Sequence, residues 1–138
     1  MAAELIALTA DMEVGVSEID AQHKELVSRL NTLLSMGGDA FSREETLKTL
    51  NLVGEYVVKH FADEERIQRM NGYPKYEAHR VLHLQFMTEF QRLKKDFDSG
   101  HSLKHAMTLN NSLTSWIVKH IKTEDVDLGK YLKSKGQK

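Results

Sequence analysis

Apolar residues recur along this chain in alternating steps of three and four, the spacing that lines one face of an α-helix rather than one face of a strand. A first stripe runs Ile19, His23, Leu26, Leu30, Leu33, and a second runs Leu50, Val53, Val57, His60, Glu64, Ile67. A third runs Tyr76, His79, His83, Phe86, Phe90, Leu93, Phe97, and a fourth runs Ala106, Leu109, Leu113, Trp116, His120. Chain breakers collect between the stripes, at Gly37-Gly38, at Asn71-Gly72-Tyr73-Pro74 and at Asp98-Ser99-Gly100. Ser17 with Asp20, and Ser42 with Glu45, have the spacing of capping boxes that open the first two helices. Pro74 suits the first turn of the third helix, where its missing N–H costs nothing, and the Gly100 region precedes the fourth. Connections this short favour antiparallel neighbours. The expected fold class is therefore all-α: one domain over residues 1–138, an up-down-up-down four-helix bundle at about 17–122. An N-terminal arm at 1–16 and a short C-terminal helix at about 124–133 complete it.

Composition narrows the chemistry. With 19 basic and 20 acidic residues the net charge is −1, which offers no electrostatic footprint for nucleic acid or for an acidic membrane surface. No apolar run approaches the ~20 residues of a membrane span, and Met1 to Ala10 lacks the basic and apolar regions of a secretory leader. The expectation is a cytoplasmic chain with no nucleic-acid or membrane partner, and nothing in the sequence designates a protein partner. The Lys-rich Lys130–Lys138 stretch reads as a solvated tail. Absence of cysteine removes disulfides, thiolate metal sites and thiol nucleophiles together, so any metal must be held by nitrogen and oxygen.

Histidine and glutamate belong on an apolar stripe only when paired, hydrogen-bonded or bound to metal. Taken singly, any one of these histidines is more simply a satisfied core residue. Their height along the bundle argues otherwise. His23 lies near the start of the first helix, His60 and Glu64 near the end of the second, His79 and His83 at the start of the third, and His120 at the end of the fourth. In an up-down-up-down bundle those four places are one end. The spacings His60-x3-Glu64 and His79-x3-His83 also put both side chains of each pair on one face, one turn apart. His101 and His105 share the i,i+4 spacing, but His105 precedes His120 by 15 residues, roughly 22 Å of helix, and reads as a surface residue. Five imidazoles and a carboxylate are too many for one ion and too nitrogen-rich for Mg²⁺ or Ca²⁺, so two transition-metal ions fit better. Asp125 follows His120 by five residues and could add a second carboxylate, with an exposed acidic run at Glu124-Asp125-Asp127 as the alternative. On a regular helix five residues advance by roughly 500°, leaving Asp125 about 140° away from His120. A shared site therefore predicts a π-like turn or a break between Ile121 and Asp125, and a separate helix from Val126.

These residues resemble the hemerythrin family, particularly its single-domain bacterial members. Ile19-Asp20-Ala21-Gln22-His23, His60-Phe61-Ala62-Asp63-Glu64-Glu65, Gly72-Tyr73-Pro74 with His79-x3-His83, and Trp116-Ile117-Val118-Lys119-His120-Ile121-x3-Asp125 follow its motifs in order over about residues 12–132. The resemblance implies two iron ions joined by a bridging oxygen, with His79, His83 and His120 on one and His23 and His60 on the other. It also implies that Glu64 and Asp125 bridge them, and that O2 binds reversibly at an open position on the iron with two histidines. Ile117 and Thr123 are the candidate lining of the O2 pocket; for Thr123, a capping or solvent-facing hydroxyl at a helix break is the alternative. The chain departs from the family pattern in having no Trp between Ala7 and Val14 and in carrying Gln68 where Met is frequent. The expectation is an oxygen carrier, store or sensor rather than an enzyme. The rival is a di-iron enzyme with oxidase or peroxidase-like activity, whose usual carboxylate-rich Glu-x-x-His pattern is missing. A zinc protease is excluded because His79-Arg80-Val81-Leu82-His83 has Arg in place of the general base.

Overall fold

The computed structural model describes residues 7–35, 43–100 and 103–137. A single 3₁₀ turn, Ala10–Met12, lies in the arm and is followed by α1 (Ser17–Ser35), α2 (Arg43–Met70), α3 (Tyr76–Gly100) and α4 (Leu103–His120). A π-helical turn, Ile121–Asp125, then leads directly into α5 (Val126–Ser134). Contacts run α1 to α2, α2 to α3, α3 to α4 and α4 back to α1, which closes the four helices into an up-down-up-down bundle. No helix among the described residues is long and apolar enough to cross a membrane.

The stripes read from the sequence are the faces that meet inside. Leu26, Leu30 and Leu33 of α1, Leu50, Val53, Val57 and Phe61 of α2, Phe86 and Phe90 of α3, and Leu113 and Ile117 of α4 form one buried cluster. A second, smaller cluster gathers Val14, Val16, Ile19, Ile67, Tyr73, Leu128 and Leu132 at one end. Along the chain His23 falls between Ile19 and Leu26, Glu64 between Phe61 and Ile67, His79 and His83 between Tyr73 and Phe86, and Asp125 between Ile121 and Leu128, where one cluster gives way to the other.

Several local expectations are refined. Asp20 does reach back across the start of α1, but its carboxylate accepts from Val14 N–H at 2.9 Å and Gly15 N–H at 3.1 Å, tying down the arm rather than closing a box with Ser17. Pro74 lies in the turn before α3, which begins at Tyr76, and α3 itself continues through Gly100. Ser42, the Gly37-Gly38 break, His101 and the side chain of His105 lie outside the described residues.

The arm crosses the small cluster at close range. Gly15 takes φ 83°, a conformation that costs glycine little, and so reverses the chain between Val14 and Val16. Opposite it, Gly129 of α5 packs so tightly that a Cβ would stand 2.2 Å from the Val14 carbonyl oxygen. Tyr131 of α5 donates its hydroxyl to Asn71 O at 2.7 Å, fastening α5 to the α2–α3 turn. Because the atom facing Gly129 is backbone, it has little room to yield. Gly129→Ala should push the arm off α5 and destabilise the chain by about 1–3 kcal/mol, the usual cost of overpacking. Thermal denaturation reads this out; an unchanged midpoint would mean that the arm does not hold this contact in solution.

Candidate metal centre

Each bundle helix delivers its part of the site through the geometry of a single turn. α1 supplies His23; α2 supplies His60 and Glu64, and α3 supplies His79 and His83, both pairs at the four-residue spacing that shares a face. α4 ends on His120. The extra residue before Asp125 is absorbed by the π turn, whose wider winding returns a residue five places on to roughly the same side. Val126 N–H closes it onto Ile121 O, five residues back. All seven side chains are buried, and Glu64 and Asp125 are 0% exposed.

The donor atoms form two overlapping groups. Glu64, His79, His83, His120 and Asp125 make one, and His23, His60, Glu64 and Asp125 make the other. Both carboxylates divide their oxygens between the two. On one side Glu64 Oε1 lies 2.9 Å from His79 Nε2 and 3.3 Å from His83 Nε2, while Asp125 Oδ1 lies 3.1 Å from His79 Nε2 and 3.2 Å from His120 Nε2. On the other, Glu64 Oε2 lies 3.4 Å from His60 Nε2 and 3.8 Å from His23 Nε2, and Asp125 Oδ2 lies 3.0 Å from His23 Nε2. Nε2 atoms also approach one another, at 2.9 Å between His79 and His120 and 3.2 Å between His83 and His120.

This crowding fits metal ligands better than hydrogen bonds. Both oxygens of Glu64 and of Asp125 have no well-directed hydrogen bond despite the short distances, and neither nitrogen of His23 has one. Lone pairs that converge without meeting protons describe a coordination sphere, and ligand atoms about 3 Å apart are what bonds of about 2.1 Å at right angles produce. The donor set, imidazoles with two shared carboxylates and no thiolate, suits a pair of transition-metal ions.

Neighbouring side chains orient the imidazoles. His60 Nδ1 and Gln22 Oε1 are 2.8 Å apart, Gln22 Nε2 donates to Asp63 at 2.9 Å, and Lys59 donates to the same Asp63 oxygen at 3.0 Å. His83 Nδ1 lies 2.8 Å from Glu65 Oε2. Such outer bonds fix the tautomer that leaves Nε2 free for metal. Phe61 stacks on His83 at 3.7 Å and Trp116 on His120 at 4.4 Å, walling the three-histidine side. On the two-histidine side a cavity of about 210 Å³ opens between the arm and α1, lined by Leu8, Thr9, Met12, Glu13, Asp20, His23 and Lys24.

The two pocket candidates fare differently. Ile117 is buried in the larger apolar cluster on the α4 face that leads to His120. Thr123 is not brought to the cluster: the π turn that swings Asp125 inward leaves Thr123 exposed, and its hydroxyl donates to Lys119 O at 2.7 Å. The capping alternative describes it, and the expected pocket role does not. Gln22, Asp63 and Glu65 escaped the sequence reading because each serves a histidine on another helix or through another side chain. Their one trace in the sequence is adjacency to a ligand, as in Gln22-His23 and Glu64-Glu65.

The profile of the hemerythrin HHE cation binding domain matches residues 14–132. The chain belongs to the hemerythrin family. A bacteriohemerythrin of Stenotrophomonas maltophilia is 27% identical over 121 residues, covering 88% of this chain and 77% of the relative. One from Campylobacter jejuni is 30% identical over 122 residues, covering 87% and 90%. A crystal structure of wild-type hemerythrin superposes with a TM-score of 0.80 at 28% identity, covering 94% of this chain and 98% of that one. The resemblance drawn from the motifs and the four-helix bundle both hold for this chain.

In the metal-free chain, protons take the place of the metal charge. Burial opposes a charge on His79, but Asp125 and Glu64 outweigh it and push its pKa up to about 10. Burial dominates at His60 and takes it down to about 4. Burial and the Asp125 charge resist ionisation of Glu64, yet His79 and His83 hold it at about 2. Asp125, also against burial, is held well below the usual carboxylate range by His120, His23 and His79. The His79 contribution to stability is complete below its unfolded value of 6.5 and disappears as pH rises through about 10. His60 costs stability as pH falls from 6.5 through about 4, and the Glu64 contribution disappears below its ordinary 4.5 as pH falls towards about 2. The melting temperature of the metal-free chain, measured in chelator, should therefore peak near pH 6.5 and decline on both sides. Loading metal should flatten the alkaline limb. A metal-free midpoint that climbs steadily from pH 6.5 to 10 would overturn this charge assignment.

Proposed function

We propose that this chain binds O2 reversibly at a non-heme di-iron centre, with His79, His83 and His120 on one iron and His23 and His60 on the other. Glu64 and Asp125 bridge the two. The observation that carries the reading is the unequal sharing of imidazoles around two carboxylates that each face both groups. Equal contributions from the bridges leave the side with two histidines one protein ligand short. That same side meets the cavity beside His23, which gives a small molecule a way in. Two ferrous ions held by these residues would supply the reducing equivalents that O2 binding requires.

The protein's own part is to hold, orient and keep dry. Gln22 and Glu65 fix the rings of His60 and His83, and burial keeps His60 uncharged and ready to ligate. Phe61 and Trp116, backed by the larger apolar cluster, shut bulk water out on the three-histidine side, which limits side reactions at the centre. Ile117, buried in the larger apolar cluster, is proposed as an apolar wall of the O2 pocket. Carrier, store and sensor roles would use this one site.

Anaerobic loading with ferrous iron should give about two ions per chain, and admitting air should produce new optical bands that fade when O2 is swept out. Consumption of added peroxide with a reducing substrate, and no reversible bands, would replace binding with a peroxidase-like activity. Glu64→Ala should abolish retention of the stable pair, because it removes one donor from each ion. Two tightly held irons in that variant would overturn its bridging role.

A further inference from the structure

Gln68 is completely buried, and neither its amide oxygen nor its amide nitrogen has a hydrogen-bond partner among the described residues. Buried amides left in that condition are rare in folded proteins, because neither end recovers the hydrogen bonds it made to water. Its position gives the orphaned amide a use. Gln68 follows Glu64 by one turn on the inner stripe of α2, about 6 Å further along the axis, and a helical side chain leans towards the N-terminal end, here towards Glu64. The chain reverses at the same level: Tyr73 N–H donates to Gln68 O at 3.0 Å, and the Tyr73 ring lies 6.5 Å from the imidazole of His79.

His79 has the complementary deficiency. Its Nε2 faces Glu64 and Asp125, so Nδ1 carries the hydrogen of the neutral ligand, and that buried Nδ1 is also without a partner. His60 and His83 show how the fold treats such a nitrogen elsewhere, each meeting a side-chain oxygen, from Gln22 and from Glu65. His23 Nδ1 lacks a partner too, but His23 lies on α1 beside the arm, away from the α2–α3 turn where Gln68 sits. His79 is left as the buried donor needing an acceptor, at the end of the bundle where Gln68 holds an acceptor needing a donor.

We infer that Gln68 is a positioning residue for His79, its amide oxygen accepting the Nδ1 hydrogen through one buried water. The two side chains make no direct hydrogen bond, and a buried water bonded to otherwise unsatisfied polar groups is a regular part of protein interiors. The amide nitrogen then has its hydrogens free for the Glu64 and Asp125 oxygens, which are likewise buried without well-directed partners. This inference rests on the metal-site reading above, with His79 ligating through Nε2.

The test compares the full chain with Gln68→Leu and Gln68→Met, which keep the volume and remove the hydrogen bonds. Loaded with zinc, which is diamagnetic, both should release the first ion to a chelator about tenfold faster than the parent. The His79 Nδ1 hydrogen, visible and slow to exchange in the ¹⁵N–¹H spectrum of the zinc-loaded parent, should be lost from both. Unchanged release and an unchanged His79 signal would overturn the inference while leaving the metal site standing. Faster release with the His79 Nδ1 signal retained would also overturn it, by showing Gln68 to be a packing residue only. A parent chain that takes up no metal would instead overturn the underlying site.

Discussion

Two carboxylates with no exposure to solvent, Glu64 and Asp125, set the terms for the rest of this molecule. A bare anion in an apolar interior is untenable, and two of them within one site are worse, since each raises the cost of ionising the other. The fold answers by surrounding the pair with imidazoles from all four bundle helices. Without metal the compensation is made by protons, which is why His79 holds its proton so far above the usual histidine range. With metal the same lone pairs acquire a common target, and the repulsion between the carboxylates becomes a reason to share two cations. The site is thus unfavourable as a piece of protein interior and favourable as a coordination sphere.

Such a cluster survives only where the surrounding packing is strong enough to carry it. The larger apolar cluster supplies that strength along the bundle, and the smaller one seals the near end with residues from the arm, the α2–α3 turn and α5. The seal depends on close backbone approach, as at Gly129 against Val14, and on polar ties such as Asp20 to the arm and Tyr131 to Asn71. Between these clusters the layer of ligands is held at a fixed height. The π turn belongs to the same economy of space: it lets one helix end deliver both His120 and Asp125 and then continue as α5.

Asymmetry then becomes chemistry. The three-histidine side is walled by Phe61 and Trp116 stacked on ligand rings, while the two-histidine side has fewer ligands and meets a cavity under the arm. Outer partners differ in kind as well, a carboxylate on His83 and an amide on His60, so the two ions would be held by ligands of unequal basicity. A site with more protein donors on one side and a cavity on the other is suited to taking up a small ligand on the side with fewer donors.

Much of this was written in the chain. Stripes such as Tyr76, His79, His83, Phe86, Phe90 specify helices because the α-helical period is a local property of the backbone, and breakers such as Asn71-Gly72 punctuate them. Placing His23, His60, Glu64, His79, His83 and His120 at one end needed only helix order and antiparallel connection. The spacing of His120 and Asp125 even required an irregular turn, since a regular helix cannot aim both inward. What the sequence could not decide were relations between side chains on different helices. That Gln22 serves His60 rather than its neighbour His23, that Glu65 meets His83, and that Thr123 turns to solvent depend on how the helices are rotated and how far the π turn unwinds. The burial of Gln68 without a partner is of the same kind. Periodicity determines which face of a helix turns inward, but the hydrogen bond a buried side chain finds there is chosen only when the helices pack.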